Sequence, residues 1–561
     1  RSVGVTGVQT CALPILIESA DPDGGTTLFE RDAAGRVVRV TMASGASYTY
    51  EYDGAGRWCA SVSTGGARYE IGYDADGNIA TETWPTGEVV VTEHDRCGRP
   101  VRRVEPGAGT TTLGYDRCGR VVRVRDPYYG LRRYAYDAAG QIVAVTNALG
   151  GVTRFVYDEC GRPVRTIDPA GGVTSRTFDR MGRVSSLTDP LGRTTRYSYD
   201  GAGRPIRTLD AAGRERTLSY DRSGRLTAER LDGRLRRAYA LDEARASLEV
   251  TDYVGGDEHD PDGSAQSWQW WWNWRGEMTR ARQGSLHTTY DYDADGRVVR
   301  MVRPDGEATA YEYDREGRVC AFTRDGVGRV SVERDLLGRA VCAVGDGVHI
   351  SWQWENGFLV RQITHRSGRR SVVDFARDAD GRIVSRTVDG ATTSFTYDAA
   401  GQLTGATGPD GRRSYSWDAL GRMTRRSEAD ATTSFTYDAA GQLTGAAGPD
   451  GAVAFSYDEL GRRTGERGPG GRRRLVWDDD DRLVGVTTLV QRGDRLEVGR
   501  QWDLAWGADG ELAAIDSTDL VWDRADGLAV PVSAGGAAID AVAGVSAVGR
   551  SEERRVGKEC R

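Results

Sequence analysis

Hydrophobic and polar residues alternate over short stretches of this chain. Between residues 48 and 52, Tyr48, Tyr50 and Tyr52 are separated by single polar residues. Successive side chains of a β-strand point to opposite faces, so this pattern predicts a strand with one half-buried face. Similar stretches follow one another with turn residues between them. The pattern therefore predicts an all-β chain of antiparallel hairpins with almost no helix.

Each strand stretch ends in a recurring motif, aromatic-Asp-x-x-Gly-Arg. In one copy Asp53 suits the first position of a type I turn, where its carboxylate accepts backbone N–H bonds. Gly56 falls where the chain needs a positive φ, which glycine adopts at low cost. A type I turn followed by a left-handed glycine is a common hairpin closure. We predict turn roles for Asp53, Gly56, Asp116, Gly119, Asp158, Gly161, Asp200, Gly203, Asp398, Gly401, Asp458 and Gly461.

The motif repeats with a regular step. In the first half the step is 21 residues, and the motif aspartates are Asp32, Asp53, Asp74, Asp95, Asp116, Asp137, Asp158, Asp179, Asp200, Asp221 and Asp242. In the second half the step is near 20, at Asn273, Asp293, Asp314, Asp335, Asp378, Asp398, Asp418, Asp438, Asp458 and Asp478. A second turn, Asp-Pro-x-Gly, lies half a repeat away, as in residues 168–171. Each repeat is therefore predicted to be one hairpin.

Charge and composition exclude several classes of function. The 561 residues carry a formal net charge of −7. A basic field that would attract nucleic acid is therefore not expected, and no apolar stretch has the length of a membrane span. The motif aspartates have a structural explanation as turn residues, and no catalytic, cofactor or paired zinc-ligand motif is recognisable. The sequence predicts a non-enzymatic protein without cofactor or metal.

A few residues are candidates for contacts of another kind. Trp268, Trp270, Trp272 and Trp274 alternate along one stretch and are predicted to share one strand face. They could stack on a carbohydrate, contact a cargo, or pack within the sheet, and the alternation favours packing. His259 lies in an acidic loop, and residues 478–481 are four consecutive aspartates; both are weak candidates for a cation. The cysteines at turn positions, Cys97, Cys118 and Cys160, are predicted to be free.

The chain divides into five predicted segments. Residues 16–242 form the 21-residue repeats, residues 243–266 an insert or seam, and residues 267–549 the repeats of about 20 residues, degenerate after residue 490. Residues 1–15 and 550–561 resemble translated sequencing adapters, and the only lysine, Lys558, lies in the second of these segments. We expect neither of these two tails to belong to the fold.

The repeats resemble a known family. Residues 116–120 after Tyr115, residues 158–162 after Tyr157, and residues 398–402 after Tyr397 look like YD repeats of rearrangement-hotspot (RHS) proteins. The resemblance implies a long antiparallel sheet that spirals into a shell, as a sheet of this many strands must curl; a β-propeller is the alternative. It also implies a secreted or cell-surface bacterial protein, and the single lysine beside 74 arginines indicates a GC-rich genome. Its shell would enclose a C-terminal toxin cargo and would travel by a secretion apparatus.

The family resemblance leaves two points open. The self-cleavage motif of RHS toxins, with Asp-Pro-x-Gly-Leu, has no convincing copy, because residues 526–528 lack its context. The chain is therefore expected to be a fragment of a polymorphic-toxin shell without its toxin. The alternative function is that of a cell-surface adhesin that binds carbohydrate through aromatic stripes.

Overall fold

The fold consists of β-strands and the turns between them. The computed structural model describes residues 17–20, 25–254, 264–429, 431–492, 495–506, 512–515, 518–523, 530–534 and 537–538. Within these ranges there is no helix, and every assigned strand pair is antiparallel, which confirms the predicted all-β fold. The loop with His259 and both predicted adapter tails lie outside the described residues.

The strands are numbered in chain order. The early strands are β1 (Glu18–Ala20), β2 (Thr26–Arg31), β3 (Val37–Thr41), β4 (Ser47–Tyr52), β5 (Trp58–Ser63), β6 (Arg68–Tyr73), β7 (Ile79–Thr83), β8 (Val89–His94), β9 (Pro100–Glu105), β10 (Gly109–Tyr115), β11 (Val121–Asp126), β12 (Gly130–Tyr136), β13 (Ile142–Thr146), β14 (Val152–Tyr157), β15 (Pro163–Ile167), β16 (Val173–Phe178), β17 (Val184–Thr188), β18 (Thr194–Tyr199), β19 (Pro205–Leu209), β20 (Glu215–Tyr220), β21 (Leu226–Leu231), β22 (Arg234–Asp242), β23 (Ser247–Val254), β24 (Ser264–Trp272) and β25 (Met278–Gln283).

The late strands are β26 (Leu286–Tyr292), β27 (Val298–Val302), β28 (Ala308–Tyr313), β29 (Val319–Arg324), β30 (Gly328–Arg334), β31 (Ala340–Gly345), β32 (Val348–Glu355), β33 (Phe358–Arg366), β34 (Arg369–Arg377), β35 (Ile383–Val388), β36 (Ala391–Tyr397), β37 (Leu403–Gly408), β38 (Gly411–Trp417), β39 (Met423–Glu428), β40 (Ala431–Tyr437), β41 (Leu443–Gly448), β42 (Gly451–Tyr457), β43 (Arg463–Gly468), β44 (Gly471–Trp477), β45 (Leu483–Arg492), β46 (Arg495–Trp506), β47 (Leu512–Ile515), β48 (Thr518–Asp523), β49 (Val530–Ala534) and β50 (Ala537–Ala538).

The chain forms two compact units. The first comprises Arg1–Tyr128 and Thr288–Ser394, and the second comprises Tyr129–His287 and Phe395–Arg561. Each unit thus combines an early and a late segment of the repeats. The predicted insert at residues 243–266 contains β23, which pairs with β22 and β24. Its role as a seam between subdomains stays a prediction.

Within each unit, strands that follow one another in the chain form hairpins. In the first unit β4 pairs with β5, with Tyr50 opposite Ser61, and the register shifts by one residue between Glu51 and Tyr52. In the second unit β14 and β15 show the same shift between Val156 and Tyr157. This shift is the β-bulge that a type I turn followed by a left-handed residue produces.

The early and late segments of each unit meet at their turns. In the first unit the backbone N–H of Ser44 donates to Asp295 Oδ1 at 3.1 Å. In the second unit Asn147 Nδ2 donates to the carbonyl oxygen of Ala419 at 2.8 Å. In both contacts a mid-repeat turn of the early segment touches a motif turn of the late segment. Turn residues therefore also join segments of the chain more than 250 residues apart.

Each unit buries its own apolar side chains. In the first unit the buried side chains are Ala60, Ile71, Val90, Tyr290, Val298, Met301, Ala321, Val330, Val332, Ala340, Ala343, Ile350, Trp352, Leu359 and Ile383. In the second unit they are Leu231, Leu235, Val250, Trp268, Leu403 and Ala406. Most other described strand residues are half-buried. The sheet therefore relies heavily on contacts between neighbouring strands, in addition to these apolar clusters.

Candidate functional site

The motif turn is held by its aspartate. Asp53 Oδ1 accepts hydrogen bonds from the backbone N–H groups of Ala55 and Arg57, both at 2.9 Å, and Oδ2 accepts from Arg57 Nε at 2.8 Å. The N–H of Gly56 donates to the carbonyl oxygen of Asp53 at 2.9 Å, and Gly56 has a φ of 81°. One carboxylate thus satisfies three donors of the turn, as the type I turn interpretation predicts.

The other turns chosen from the sequence have the same backbone. A Gly N–H donates to the Asp carbonyl oxygen in the turns that begin at Asp116, Asp158, Asp200, Asp398 and Asp458. The φ angles of their glycines are 82° at Gly119, 77° at Gly161, 87° at Gly203, 79° at Gly401 and 84° at Gly461. All lie in the left-handed region, which favours glycine.

Hydrogen bonds lower the pKa of the aspartate in several motif turns. The backbone N–H of Arg57 and its guanidinium hold the pKa of Asp53 below its ordinary value. At Asp158 the guanidinium of Arg162 is the larger cause of the lowered pKa, followed by the Arg162 backbone N–H. Donors that bind the charged form stabilise it relative to the protonated form. Each such turn therefore carries an ionised aspartate and a paired arginine.

The motif arginine also contacts the next repeat. The Arg57 guanidinium lies over the ring of Tyr73, 4.1 Å from its centre, and the Tyr73 hydroxyl donates to the carbonyl oxygen of Trp58 at 2.7 Å. The hydroxyl bond recurs between Tyr52 and Val37, Tyr115 and Pro100, Tyr157 and Ile142, Tyr199 and Val184, Tyr220 and Pro205, Tyr313 and Val298, Tyr437 and Met423, and Tyr457 and Leu443. We call the combination of the arginine–ring contact and the hydroxyl bond the arginine–tyrosine lock; in the repeats before Tyr157 and Tyr457, Gln141 and Gln442 stand in the arginine position.

The lock explains why the motif begins with an aromatic residue. Where tryptophan replaces tyrosine, its indole N–H makes the equivalent bond: Trp417 Nε1 donates to the carbonyl oxygen of Leu403 and Trp477 Nε1 to that of Arg463, both at 2.7 Å. Alternation along the strand places these rings on one face but does not reveal the bond to the preceding repeat. The regular spacing between each motif arginine and the next motif aromatic was the available signal.

The hydroxyl of the lock gives a direct stability test. We expect Tyr199→Phe to lower the free energy of unfolding by about 1 kcal/mol, because it removes the hydrogen bond to Val184, which is 2.8 Å long. Tyr197→Phe, on the same strand, is the matched control. The Tyr197 hydroxyl forms no hydrogen bond within the described residues, so its removal should change stability by less than about 0.5 kcal/mol. Chemical denaturation checks both values, and equal effects would contradict the lock.

The second turn of the repeat explains the change of period. In the early segment five residues, 168–172, separate β15 from β16, and Asp168 Oδ1 accepts from the N–H groups of Ala170 and Gly172. In the late segment only Asp389 and Gly390 separate β35 from β36, and their φ angles are 49° and 89°. Such a two-residue turn needs left-handed backbone at both positions. The shorter turn, partly offset by longer strands, gives the step of 20.

The tryptophan stretch differs from the prediction at one residue. Trp268 is buried, with 2% of its surface exposed, and Trp270 and Trp272 are half-buried on β24. Trp274 does not share their strand face, so that part of the prediction is wrong. It lies in the motif turn that starts at Asn273 and is 51% exposed. Asn273 takes the place of the motif aspartate and ends the strand before Trp274 is reached.

Contact of these tryptophans with a cargo or a carbohydrate stays a prediction. The burial of Trp268 leaves little of its ring for a ligand. Trp271, on the other strand face, lies under the guanidinium of Arg280 at 4.9 Å. Trp274 therefore offers the largest exposed ring of the predicted set.

The aspartates near residue 480 lie in an ionic cluster of the second unit. Asp480 is 3.3 Å from Arg482 Nη2 and 3.5 Å from Arg237 Nη2, and Asp252 Oδ2 is 3.2 Å from Arg237 Nη2. The Asp252–Asp480 cluster comprises Asp252, Asp480, Glu229, Arg216, Arg236, Arg237 and Arg482. Burial raises the pKa of Asp480, but these guanidinium groups outweigh it and hold the pKa below its ordinary value. The candidate cation ligand Asp480 thus already faces arginines.

Other candidate ligands are scattered. Cys97, Cys118 and Cys160 are free and exposed. Across the described ranges no three or more His, Cys, Asp or Glu side chains are arranged to hold a metal ion. In the same part of the chain no helix has the length and apolar character that a membrane crossing requires.

Comparison with known families decides the identity of the repeat. The sequence matches the family described as RHS Repeat at residues 16–47, 32–68, 136–173, 178–215, 202–237, 292–330, 377–413, 397–433 and 437–473, which together cover half of the chain. The chain belongs to the RHS-repeat family. The arginine–tyrosine lock is therefore a contact between successive RHS repeats. No curated protein matches the sequence.

Solved structures share the RHS fold. A crystal structure of TcdB2-TccC3-TEV superimposes with a TM-score of 0.59 and 15% identity over 91% of this chain. A Tc holotoxin pore from Photorhabdus luminescens and a TcdB2-TccC3 crystal structure without its hypervariable C-terminal region each give a TM-score of 0.50 and 17% identity over 90% of this chain. The RHS chain spans 30% to 31% of the length of these three structures' chains.

Proposed function

We propose that this RHS chain is a non-enzymatic structural shell that encloses or presents a C-terminal toxin cargo of the same gene product. The observation that carries the proposal is the repetition of one structural contact, the arginine–tyrosine lock, along both units. Each motif aspartate accepts hydrogen bonds within its own β-turn, and each lock joins one repeat to the next. Repeats coupled in this way stabilise an extended wall through nearest-neighbour contacts rather than around one reactive site.

The similar solved structures support a toxin as cargo. Two of them contain TcdB2 and TccC3, and one of these two lacks a hypervariable C-terminal region. By analogy, the cargo of this RHS protein would be a variable C-terminal domain. The protein would then be a secreted or cell-surface bacterial component whose export needs a secretion apparatus.

Limited proteolysis of the complete gene product tests the proposal. We expect the cargo to survive protease while the shell is intact, and to be digested faster in the Gly161→Val variant. Gly161 has a φ of 77°, and a Cβ there would lie 2.7 Å from Gln141 Nε2. Valine at such a position costs about 1–3 kcal/mol and should loosen the wall locally.

The matched control is Gly201→Val. Gly201 also lies in a motif turn, but its φ is not in the left-handed region and no atom lies within 4 Å of a Cβ placed there. The control should protect the cargo as the wild type does. A cargo that is digested equally fast with and without an intact shell would contradict encapsulation and would favour the carbohydrate-binding adhesin.

A further inference from the structure

Strands β12–β19 of the second unit present four exposed arginines without acidic partners, whereas Arg207 on β19 is paired with Glu215 of β20. No aspartate or glutamate occurs within these eight strands. On one face Arg133, Arg154, Arg165 and Arg196 are exposed, and none has an ion-pair or hydrogen-bond partner within the described residues. We call these four residues the arginine row. The aspartates of the adjoining motif turns at residues 158, 179 and 200 are paired with Arg162, Arg183 and Arg204.

The pairing of strands places the row on one face. Arg154 lies opposite Ala144, and Arg165 lies opposite Val156 on one side and Ser175 on the other. Arg196 lies opposite Ser186. Arg154 and Arg165 are therefore diagonal neighbours, about 7–8 Å apart at the backbone.

The repeat sets the positions of three members of the row. Arg133, Arg154 and Arg196 each lie four residues before a motif aspartate, so they occupy equivalent positions in their repeats, with Ser175 at the position between Arg154 and Arg196. Equivalent positions in successive repeats are two strands, about 10 Å, apart across the sheet and two residues, about 7 Å, apart along the strands. From β12 to β18 the row therefore runs diagonally and spans roughly 29 Å across the sheet.

Folding does not require these arginines. Like charges on neighbouring strands destabilise a sheet. Ser175 occupies the position equivalent to Arg154, and Ser186 occupies the position equivalent to Arg165, so the repeat accepts a small neutral residue there.

Several exposed arginines elsewhere in the chain form ion pairs across strands. Arg68 pairs with Glu51 at 2.7 Å, and Arg413 pairs with Glu428 and Arg329 with Glu312, both at 2.9 Å. The arginine row lacks such partners although the protein has a net charge of −7. Because the protein as a whole is acidic, its net charge does not attract polyanions. A polyanionic ligand would therefore bind through this local positive face.

We propose that the arginine row binds a linear sulfated polysaccharide. Guanidinium groups bind anionic oxygens through paired hydrogen bonds, and a linear chain with repeated anionic groups can lie along the arginine row. Phe155 and Tyr197 alternate with row residues and so lie on the opposite face, which leaves the row's face without the rings that stack on single-stranded bases or anchor at a membrane.

Binding of the full chain to immobilised heparin tests this proposal. The variant that combines Arg154→Ser, Arg165→Ser and Arg196→Ser should lose about tenfold or more in affinity at 0.1 M salt, since each exposed charge contact contributes a few-fold. The matched control combines Arg68→Ser, Arg329→Ser and Arg413→Ser, which removes the same charge from ion-paired arginines. It should bind heparin within about twofold of the wild type. Thermal unfolding checks that both variants fold, and the single substitutions replace the triple variant if it does not.

Further probes separate the polysaccharide from other polyanions. We expect dextran sulfate to compete with heparin and neutral dextran not to compete. Equal heparin affinity of the wild type and the row variant would overturn the proposal, as would a wild type that does not bind heparin. The proposal would also be overturned if duplex DNA, or vesicles of phosphatidylcholine with phosphatidylserine, bound as tightly as heparin and if this binding depended on the same arginines.

Discussion

Replacing Asp252 with alanine is expected to lower the free energy of unfolding of the second unit by about 3–5 kcal/mol. The Asp252 side chain is 1% exposed, and its Oδ2 lies 3.2 Å from Arg237 Nη2 and 3.6 Å from Arg482 Nη2. Removal of the carboxylate takes away a negative charge that neutralises these two partly buried guanidinium groups. Because Arg482 follows β44 while Asp252 lies on β23, the loss should also loosen the contact between the early and late segments of this unit.

Hydrogen exchange and thermal unfolding measure this effect. Exchange should increase in β22–β24 and in the turn before β45, where the cluster joins the two segments. Asp374→Ala is the control, because Asp374 forms an exposed ion pair with Arg361. The Asp374 side chain is 37% exposed and the Arg361 side chain is 49% exposed. Exposed pairs contribute about 0–1 kcal/mol. Equal losses of stability in the two variants would show that the Asp252–Asp480 cluster does not hold the segments together.

Acidification is expected to unfold the protein cooperatively below about pH 4. The pKa values of many motif aspartates, including Asp53, Asp116, Asp158 and Asp200, are lowered in the folded chain from an ordinary value of 3.8. A group with a lowered folded pKa contributes its full stabilisation above the unfolded pKa. That contribution is lost as pH falls through the folded pKa. Since the same shift recurs in many turns, the losses add.

Thermal unfolding between pH 8 and pH 2 checks this prediction. The carboxylate contribution to the unfolding midpoint should be nearly constant from pH 8 to about pH 5 and should then be lost steeply. Asp158→Asn should weaken the dependence slightly. Asparagine keeps the turn, as Asn147 does when its Oδ1 accepts from the N–H groups of Leu149 and Gly151. A midpoint that rises on acidification below pH 4 would contradict the role of the ionised aspartates.

The hairpins and their turns could be predicted from sequence because their causes are local. Asp53 and Gly56 define a turn within four residues, and alternation defines the strands on either side. The change of period was also visible in the sequence. Its cause, the exchange of a five-residue turn for the two-residue turn at Asp389 and Gly390, appeared only in the backbone.

Contacts between repeats and between distant segments were not predictable in the same way. The bond from Tyr73 to Trp58 joins residues on different hairpins, and the contact of Asn147 with Ala419 spans 272 residues. No local sequence pattern indicates which turn of the late segment contacts which turn of the early segment. Trp274 was misplaced because simple alternation was continued past Asn273, although the motif had already marked Asn273 as the start of a turn.

Electron cryomicroscopy of the complete gene product tests the shell most directly. We expect a continuous wall of antiparallel strands, with the arginine–tyrosine locks between successive repeats and the C-terminal domain enclosed by the wall. A C-terminal domain that projects into solvent, with the RHS strands forming a separate open surface, would contradict it.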